Sequence, residues 1–255
     1  MKPILILCAC LVALPAQADV RAPLQDPKAW DLLDRADALT KSARAAGLKD
    51  LIFIQTFSQY EGVKIEVKWM APARTTLRVM VAEDAPQHVK AIAASLDKRL
   101  RQQVVEMLGT VVGRKQREIH ADAEVSLVSE RLVRIVPQSP RAAAQFSEHK
   151  VTFDLRGLPV TSISRRTDGS VLEMQTAFET VKKDELFRVQ SVTAKARREG
   201  QPDSESTVRY AWCEVKGFQF PQSIIIEHGI DRTILGFSEY KPDTGLTEKD
   251  FPAEK

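Results

Sequence analysis

The feature that most constrains this chain is a succession of short segments in which apolar and polar residues alternate. The clearest is 63–69, where Lys64, Glu66 and Lys68 separate four apolar residues (Val63, Ile65, Val67 and Trp69). A period of two places all four apolar side chains on one face of a β-strand. Comparable segments recur along most of the chain, so we expect about ten strands.

The predicted strands are separated by turn signals at the spacing typical of an antiparallel sheet or barrel. Gly157-Leu158-Pro159 and Asp168-Gly169 are two such signals, and the second is typical of a tight hairpin. Only two helical segments interrupt the strands, which makes parallel βαβ winding a poor fit. The predicted strands cover residues 51–57, 63–69, 75–81, 124–136, 150–156, 160–165, 171–178, 186–194, 207–215, 222–227 and 232–240.

The two helices are predicted from caps and from apolar spacing. The first begins at Asp26-Pro27 and is expected to end at Gly47. The second runs from Asp84 to Leu108 and is expected to end at Gly109. Its apolar residues recur at steps of three and four, which gives it one apolar face. That face includes Val89, Ile92, Leu96 and Leu100.

The first 18 residues have the layout of a cleavable secretory signal peptide. Lys2 precedes an apolar run from Ile4 to Leu14, and Ala16-Gln17-Ala18 supplies small residues for cleavage. Leu7-Cys8-Ala9-Cys10 is similar to a lipobox, which leaves lipidation of Cys10 as an alternative, but the apolar run before it is short. We expect export and a single domain over residues 19–255.

Charge and hydropathy exclude several classes of partner. The 37 Lys and Arg residues nearly balance the 34 Asp and Glu residues, so the chain lacks the strongly basic surface of a nucleic-acid-binding protein. Beyond the leader, no apolar stretch approaches the roughly 20 residues of a membrane helix. We therefore expect no nucleic acid and at most a peripheral contact with a membrane.

No catalytic, cofactor or metal motif emerges, so we do not expect an enzyme. His88, His120, His149 and His228 lack zinc-site spacing, and His120-Ala121-Asp122 is interpreted as a solvated turn. A secreted hydrolase remains a third hypothesis without a motif behind it. After cleavage Cys213 is the lone cysteine, and its strand-like surroundings favour a small buried apolar role.

The C-terminal segment carries a more specific pattern. Val215-Lys216-Gly217-Phe218-Gln219-Phe220-Pro221 precedes Ile224-Ile225-Ile226, and then come Phe237-Ser238-Glu239-Tyr240, Gly245-Leu246 and Phe251. This order resembles the end of the periplasmic lipoprotein-carrier superfamily, which includes the LolA/LolB-like proteins and the outer-membrane lipoprotein-sorting proteins. Met70-Ala71-Pro72-Ala73-Arg74 also stands where that family tends to place Pro and Arg between strands.

The resemblance implies a mainly β (α+β) fold, a strongly curved antiparallel half-barrel whose concave apolar face is covered by an N-terminal helix and a long helix. It also implies a non-enzymatic periplasmic carrier or binding protein for lipid, acylated protein or another apolar ligand. An alternative is an envelope sensor that binds a partner protein's periplasmic domain. The candidate cavity residues are Val89, Ile92, Leu96, Leu100, Trp69, Val67 and Ile65.

We predict that the mature protein begins at Asp19, because Ala16 and Ala18 provide the small side chains that signal peptidase requires. N-terminal sequencing of the exported protein checks this. A retained Met1 or a lipidated Cys10 would contradict it.

Overall fold

The computed structural model of this chain describes residues 25–181 and 186–251, with the side chains of all of these except 92, 94–102, 106 and 141. The predicted leader and its cleavage site therefore lie outside the described residues.

The described residues form four helices, twelve strands and one short 3₁₀ turn. The helices are α1 (Pro27–Leu39), α2 (Gln87–Val112), α3 (Gln116–Ile119) and α4 (Pro140–Ala143), and the 3₁₀ turn is Glu248–Asp250. The strands are β1 (Asp50–Phe57), β2 (Val63–Met70), β3 (Arg74–Val81), β4 (Ala123–Ser129), β5 (Leu132–Pro137), β6 (Phe146–Phe153), β7 (Pro159–Arg166), β8 (Val171–Val181), β9 (Leu186–Arg197), β10 (Ser204–Val215), β11 (Phe218–His228) and β12 (Asp231–Pro242).

All twelve strands belong to one sheet in the order β3-β2-β1-β12-β11-β10-β9-β8-β7-β6-β5-β4. Each neighbouring pair is antiparallel. The sheet is open in the described part of the chain, because β3 and β4 each have a single neighbour. These two edge strands are joined in sequence by residues 82–122, so the segment that contains α2 and α3 carries the chain from one edge to the other.

The mainly β, antiparallel prediction is confirmed, but the number of strands is twelve rather than about ten. The segment 124–136, predicted as one strand, is the hairpin β4–β5 with a turn at Glu130-Arg131. That turn contains no Gly, Pro or Asp, so the sequence gives no turn signal there. The strong curvature of the predicted half-barrel stays a prediction.

Both predicted helix ends are also corrected. α1 ends at Leu39 instead of Gly47, because Thr40 leaves the helix in extended conformation and bridges to Phe187 of β9. α2 continues through Gly109 to Val112 and ends at Gly113, whose φ of 80° and ψ of 150° are not helical. Glycine at position 109 weakens a helix without stopping it. No helix in the described ranges is long and apolar enough to cross a membrane.

The strand register places the apolar side chains on one face of the whole sheet, which we call the inner face. One cross-strand row joins Gln55 to Ile65 and Phe237, and a second joins Val208 to Ile226 and Val192. Directly opposed residues of neighbouring strands point to the same side. The register therefore gives one continuous face from β3 to β4.

The opposite, outer face carries charged side chains that pair across strands. Arg134 donates to Glu148 at 2.6 Å, and Arg209 lies 2.8 Å from Glu227. Pairs of this kind on an exposed sheet surface contribute little stability. They keep the outer face hydrated, which leaves the inner face as the surface that folding must bury.

The C-terminal motif owes its pattern to packing and to backbone capping. The ring of Tyr240 stacks on Phe220 at 4.5 Å between centroids, and its hydroxyl donates to the carbonyl oxygen of Pro221 at 2.6 Å. The buried Asp50 carboxylate accepts hydrogen bonds from the Thr244 N–H and hydroxyl, both at 2.7 Å, and from the Gly245 N–H at 3.1 Å. These contacts fix the segment after β12 against the start of β1.

The end of α2 is held close to the segment that follows α1. A Cβ at Gly113 would lie 2.4 Å from the Cβ of Ser42, and the Arg44 N–H donates to the Val112 carbonyl at 2.9 Å. Only a residue without a side chain fits this approach and this backbone conformation.

We therefore predict that Gly113→Ala lowers the free energy of unfolding by at least ~2 kcal/mol, from backbone strain and from the clash with Ser42. Urea unfolding measures the change. Ser42→Gly in the same protein should recover part of the loss, and a double-mutant cycle isolates that coupling. Equal losses with and without the Ser42→Gly change would show that the close approach is not the cause.

Candidate functional site

The inner face is covered by helices at two separate places. On one side, α1 packs on β4, β5 and β6, and its Trp30 and Leu33 share a buried cluster with Val125, Ile135 and Phe153. On the other side, the C-terminal part of α2 shares a larger cluster with β1, β2, β11 and β12. The α2 members of that cluster are Val104, Met107, Leu108, Val111 and Val112.

Between the two clusters lies a strip of the inner face that is apolar but only half-buried. It crosses strands β7 to β10, and the register pairs Ser162 with Met174, Met174 with Ala194, and Val192 with Val208. Ala194 is 8% exposed, while the other strip residues are half-buried. We call this set the inner strip; it consists of Ser162, Met174, Thr176, Val192, Ala194 and Val208. At about 4.8 Å per strand spacing, it is roughly 14 Å wide.

One border of the inner strip is a pair of histidines. The ring centroids of His120 and His149 are 6.3 Å apart, and the His149 Nδ1 lies 2.7 Å from the Ser164 Oγ. Burial lowers the pKa of His149 to about 4, and burial together with the smaller effect of the neighbouring His149 lowers the pKa of His120 to about 4. Both rings are therefore neutral at pH 7.

This arrangement corrects the interpretation of His120-Ala121-Asp122 as a solvated turn, because His120 is only 5% exposed. The reason is that His120, which caps the C-terminal end of α3 just before β4, lies against His149 of β6. Ser164 is 3% exposed, and a histidine with a pKa near 4 is a weak base at neutral pH. The Ser164–His149 pair thus lacks the accessibility and basicity of an activated nucleophile.

The other border is aromatic. Tyr210 is half-buried on the inner face, and its ring stacks on Trp212 at 5.9 Å between centroids. Cys213 lies on the same face opposite Phe220, and burial raises the pKa of its thiol. A thiol whose pKa is raised is a poor nucleophile. Cys213 is half-buried rather than buried as the sequence predicted, and its small apolar role stays a prediction.

The structure places the predicted cavity residues in two groups. Ile65, Val67 and Trp69 are on the inner face with 1%, 0% and 3% exposure, packed in the cluster that contains the end of α2. Val89 is half-buried at the start of α2, near the β1–β2 turn at Gly62. The side chains of Ile92, Leu96 and Leu100 lie outside the described set. A role in ligand binding for these seven residues stays a prediction.

The sequence reasoning did not select the inner strip or the histidine pair. A signal for the strip existed, since Leu172, Met174 and Thr176 occupy alternate positions of one strand. In β7 to β9 the inner-face positions include hydroxyl and small side chains, so they differ less in hydropathy from the outer-face positions. The period of two was visible, but it did not mark these residues as a binding surface. The histidine pair had no such signal, because 29 residues separate its members in sequence.

One other location suits an apolar ligand less well. A cleft of about 440 Å³ opens on the outer side near β1–β3, and most of its lining is polar or charged, including Glu66, Lys68, Arg78 and Asp250. Across the described ranges, no group of three or more His, Cys, Asp or Glu side chains is placed to share a metal ion.

Comparisons with known proteins find two remote structural neighbours. A DUF1329 family protein from Desulfovibrio piger ATCC 29098 is 9% identical, with a TM-score of 0.34 over 88% of this chain and 96% of that one. An outer membrane lipoprotein-sorting protein domain from Vibrio parahaemolyticus is 12% identical, with a TM-score of 0.32 over 88% of this chain and 97% of that one. TM-scores below 0.5 are too low to support a conclusion about function.

No family model matches the sequence, and no curated protein matches it.

The buried histidines predict a pH-dependent stability. Because their folded pKa values lie below the unfolded value of about 6.5, the unfolded chain binds more protons between pH 6.5 and 4. Stability is therefore full above pH 6.5 and falls by a few kcal/mol in total as the pH drops to about 4. Urea unfolding at pH 7.0 and pH 4.5 measures this.

The control separates these histidines from the other titrating groups. A His120→Gln/His149→Gln variant should lose much of the pH dependence, whereas His88→Gln/His228→Gln, at two exposed positions, should keep it. If both variants follow the wild-type profile, the histidine pair is not the source.

Proposed function

We propose that this protein is a non-enzymatic carrier or binding protein of the bacterial periplasm, which holds lipid, acylated protein or another apolar ligand on its inner face. The observation that carries the proposal is the inner strip, a half-buried apolar surface between two helix-covered clusters of one sheet. The N-terminal leader pattern supports the location, because it is typical of exported proteins.

The energetics of an acyl chain suit such a surface. Each methylene group that leaves water contributes about 0.8 kcal/mol, so a chain of ~12 methylenes contributes on the order of 10 kcal/mol before the cost of association. Much of this is needed to offset lost freedom of motion, which makes binding reversible, as a carrier requires. No nucleophile or metal is needed for this function.

The side chains of the strip also suit a ligand that binds without one fixed position. Met174 is flexible and adapts its shape, and Val192 and Val208 give an even apolar surface. Ser162 and Thr176 break the apolar surface with hydroxyl groups, which tolerate water when the strip is empty. The sensor alternative has no observation of its own among the described residues.

The proposal is tested with two adjacent substitutions on opposite faces of β8. Met174 faces the inner strip, whereas Gln175 is exposed on the outer face. Met174→Asp should abolish retention of co-purified lipid, because an acyl chain that covers the strip would have to remove an unpaired carboxylate from water. Gln175→Asp should retain it. Native mass spectrometry of protein purified from the periplasm measures the bound lipid.

Because Met174 is only half-buried, the Met174→Asp variant is expected to stay folded, which circular dichroism verifies. Wild-type protein that carries no lipid and binds no added fatty acid would reject the proposal. A folded Met174→Asp variant with unchanged lipid content would show that the lipid does not bind at the inner strip.

A further inference from the structure

Gln55 is a polar residue in the middle of an apolar core. It lies on the inner face of β1, is 0% exposed, and is opposed in register by Ile65 of β2 and Phe237 of β12. Phe53 and Phe57, two residues away on either side, point to the same face. All four of these neighbours belong to the cluster that contains the end of α2.

The amide of Gln55 has no hydrogen-bond partner among the described residues, at either Nε2 or Oε1. Burying an amide without partners costs a protein one to several kcal/mol, and native structures leave few such groups. A leucine of similar volume would avoid this cost. Gln55 is thus a destabilising choice for the core unless something that enters the core satisfies its amide.

We propose that Gln55 anchors the polar end of the bound ligand, and that this end is a carboxyl, ester or amide group at the head of an acyl chain. This inference rests on the proposed function and names the ligand's chemical class. The Nε2 amide donates to the ligand's carbonyl oxygen. Oε1 accepts from the hydroxyl of a protonated carboxylic acid or from the N–H of an amide.

The inner face offers the tail an apolar route from Gln55 to the inner strip. From β1, the route crosses Leu235 of β12 and Ile224 of β11 and reaches Val208 on β10. It spans three strand spacings, or about 14 Å. Leu235 and Ile224 are buried in the same cluster as the end of α2, so entry of the ligand requires α2 to move.

The test compares two fluorescent probes on purified full-length mature protein. The fatty acid cis-parinaric acid has a carboxyl group, and diphenylhexatriene is a hydrocarbon without one. The test variant is Gln55→Leu, and the matched control is Gln222→Leu, the same change at an exposed position of β11. Gln55→Met serves as a second test variant if Gln55→Leu does not fold.

We expect Gln55→Leu to lower the affinity for cis-parinaric acid about tenfold, which is the effect of losing one or two hydrogen bonds of ordinary strength. The affinity for diphenylhexatriene should stay within twofold of the wild-type value. Gln222→Leu should change neither affinity. If Gln55→Leu binds both probes as the wild type does, the anchor is refuted while the carrier function stands. Equal weakening of both probes refutes the anchor as well, since it indicates altered packing. If the wild type binds neither probe, both proposals fail.

Discussion

The structure depends on the burial of one face of a single twelve-stranded sheet. Cross-strand register aligns apolar side chains from β3 to β4 on that face, while ion pairs such as Arg134–Glu148 keep the other face in water. Removing apolar area from water is the dominant favourable contribution to folding. Helix placement, the C-terminal motif and the candidate site all follow from how this face is covered.

The covering is uneven because of the chain's topology. β3 and β4 are the two edge strands and are consecutive in sequence, so the segment between them, which contains α2 and α3, passes from one edge to the other. α1 packs at the β4 side with α3 beside it, and the end of α2 packs at the β1 and β2 side. The strands in between, β7 to β10, keep a half-buried surface that includes Met174, Val192 and Val208.

Buried polar groups on the inner face lower the stability of the folded protein. Neutral His120 and His149 share one border of the inner strip, and the unpaired amide of Gln55 lies beneath the larger cluster. An ordinary core excludes such groups, because each costs free energy that an apolar residue would not. They lie on the same face of the sheet as the inner strip. Asp50 shows the contrasting case, since its buried carboxylate is fully engaged in capping the C-terminal segment.

The sequence alone determined the antiparallel β class, the approximate positions of ten of the twelve strands and the start of α1, whereas α2 begins at Gln87 rather than at the predicted Asp84. These features rest on local spacing, such as the alternation in 63–69, which neighbouring residues impose on each other. The sequence missed the β4–β5 turn at Glu130-Arg131 and placed the end of α1 at Gly47, because those boundaries are decided by pairing with distant strands. Only the tertiary structure brought His120 to His149, left Gln55 without a partner and left the inner strip half-buried, since each depends on register across strands far apart in the chain. Local pattern fixes which face of a strand is apolar, and only the assembled sheet decides how much of that face the helices can cover.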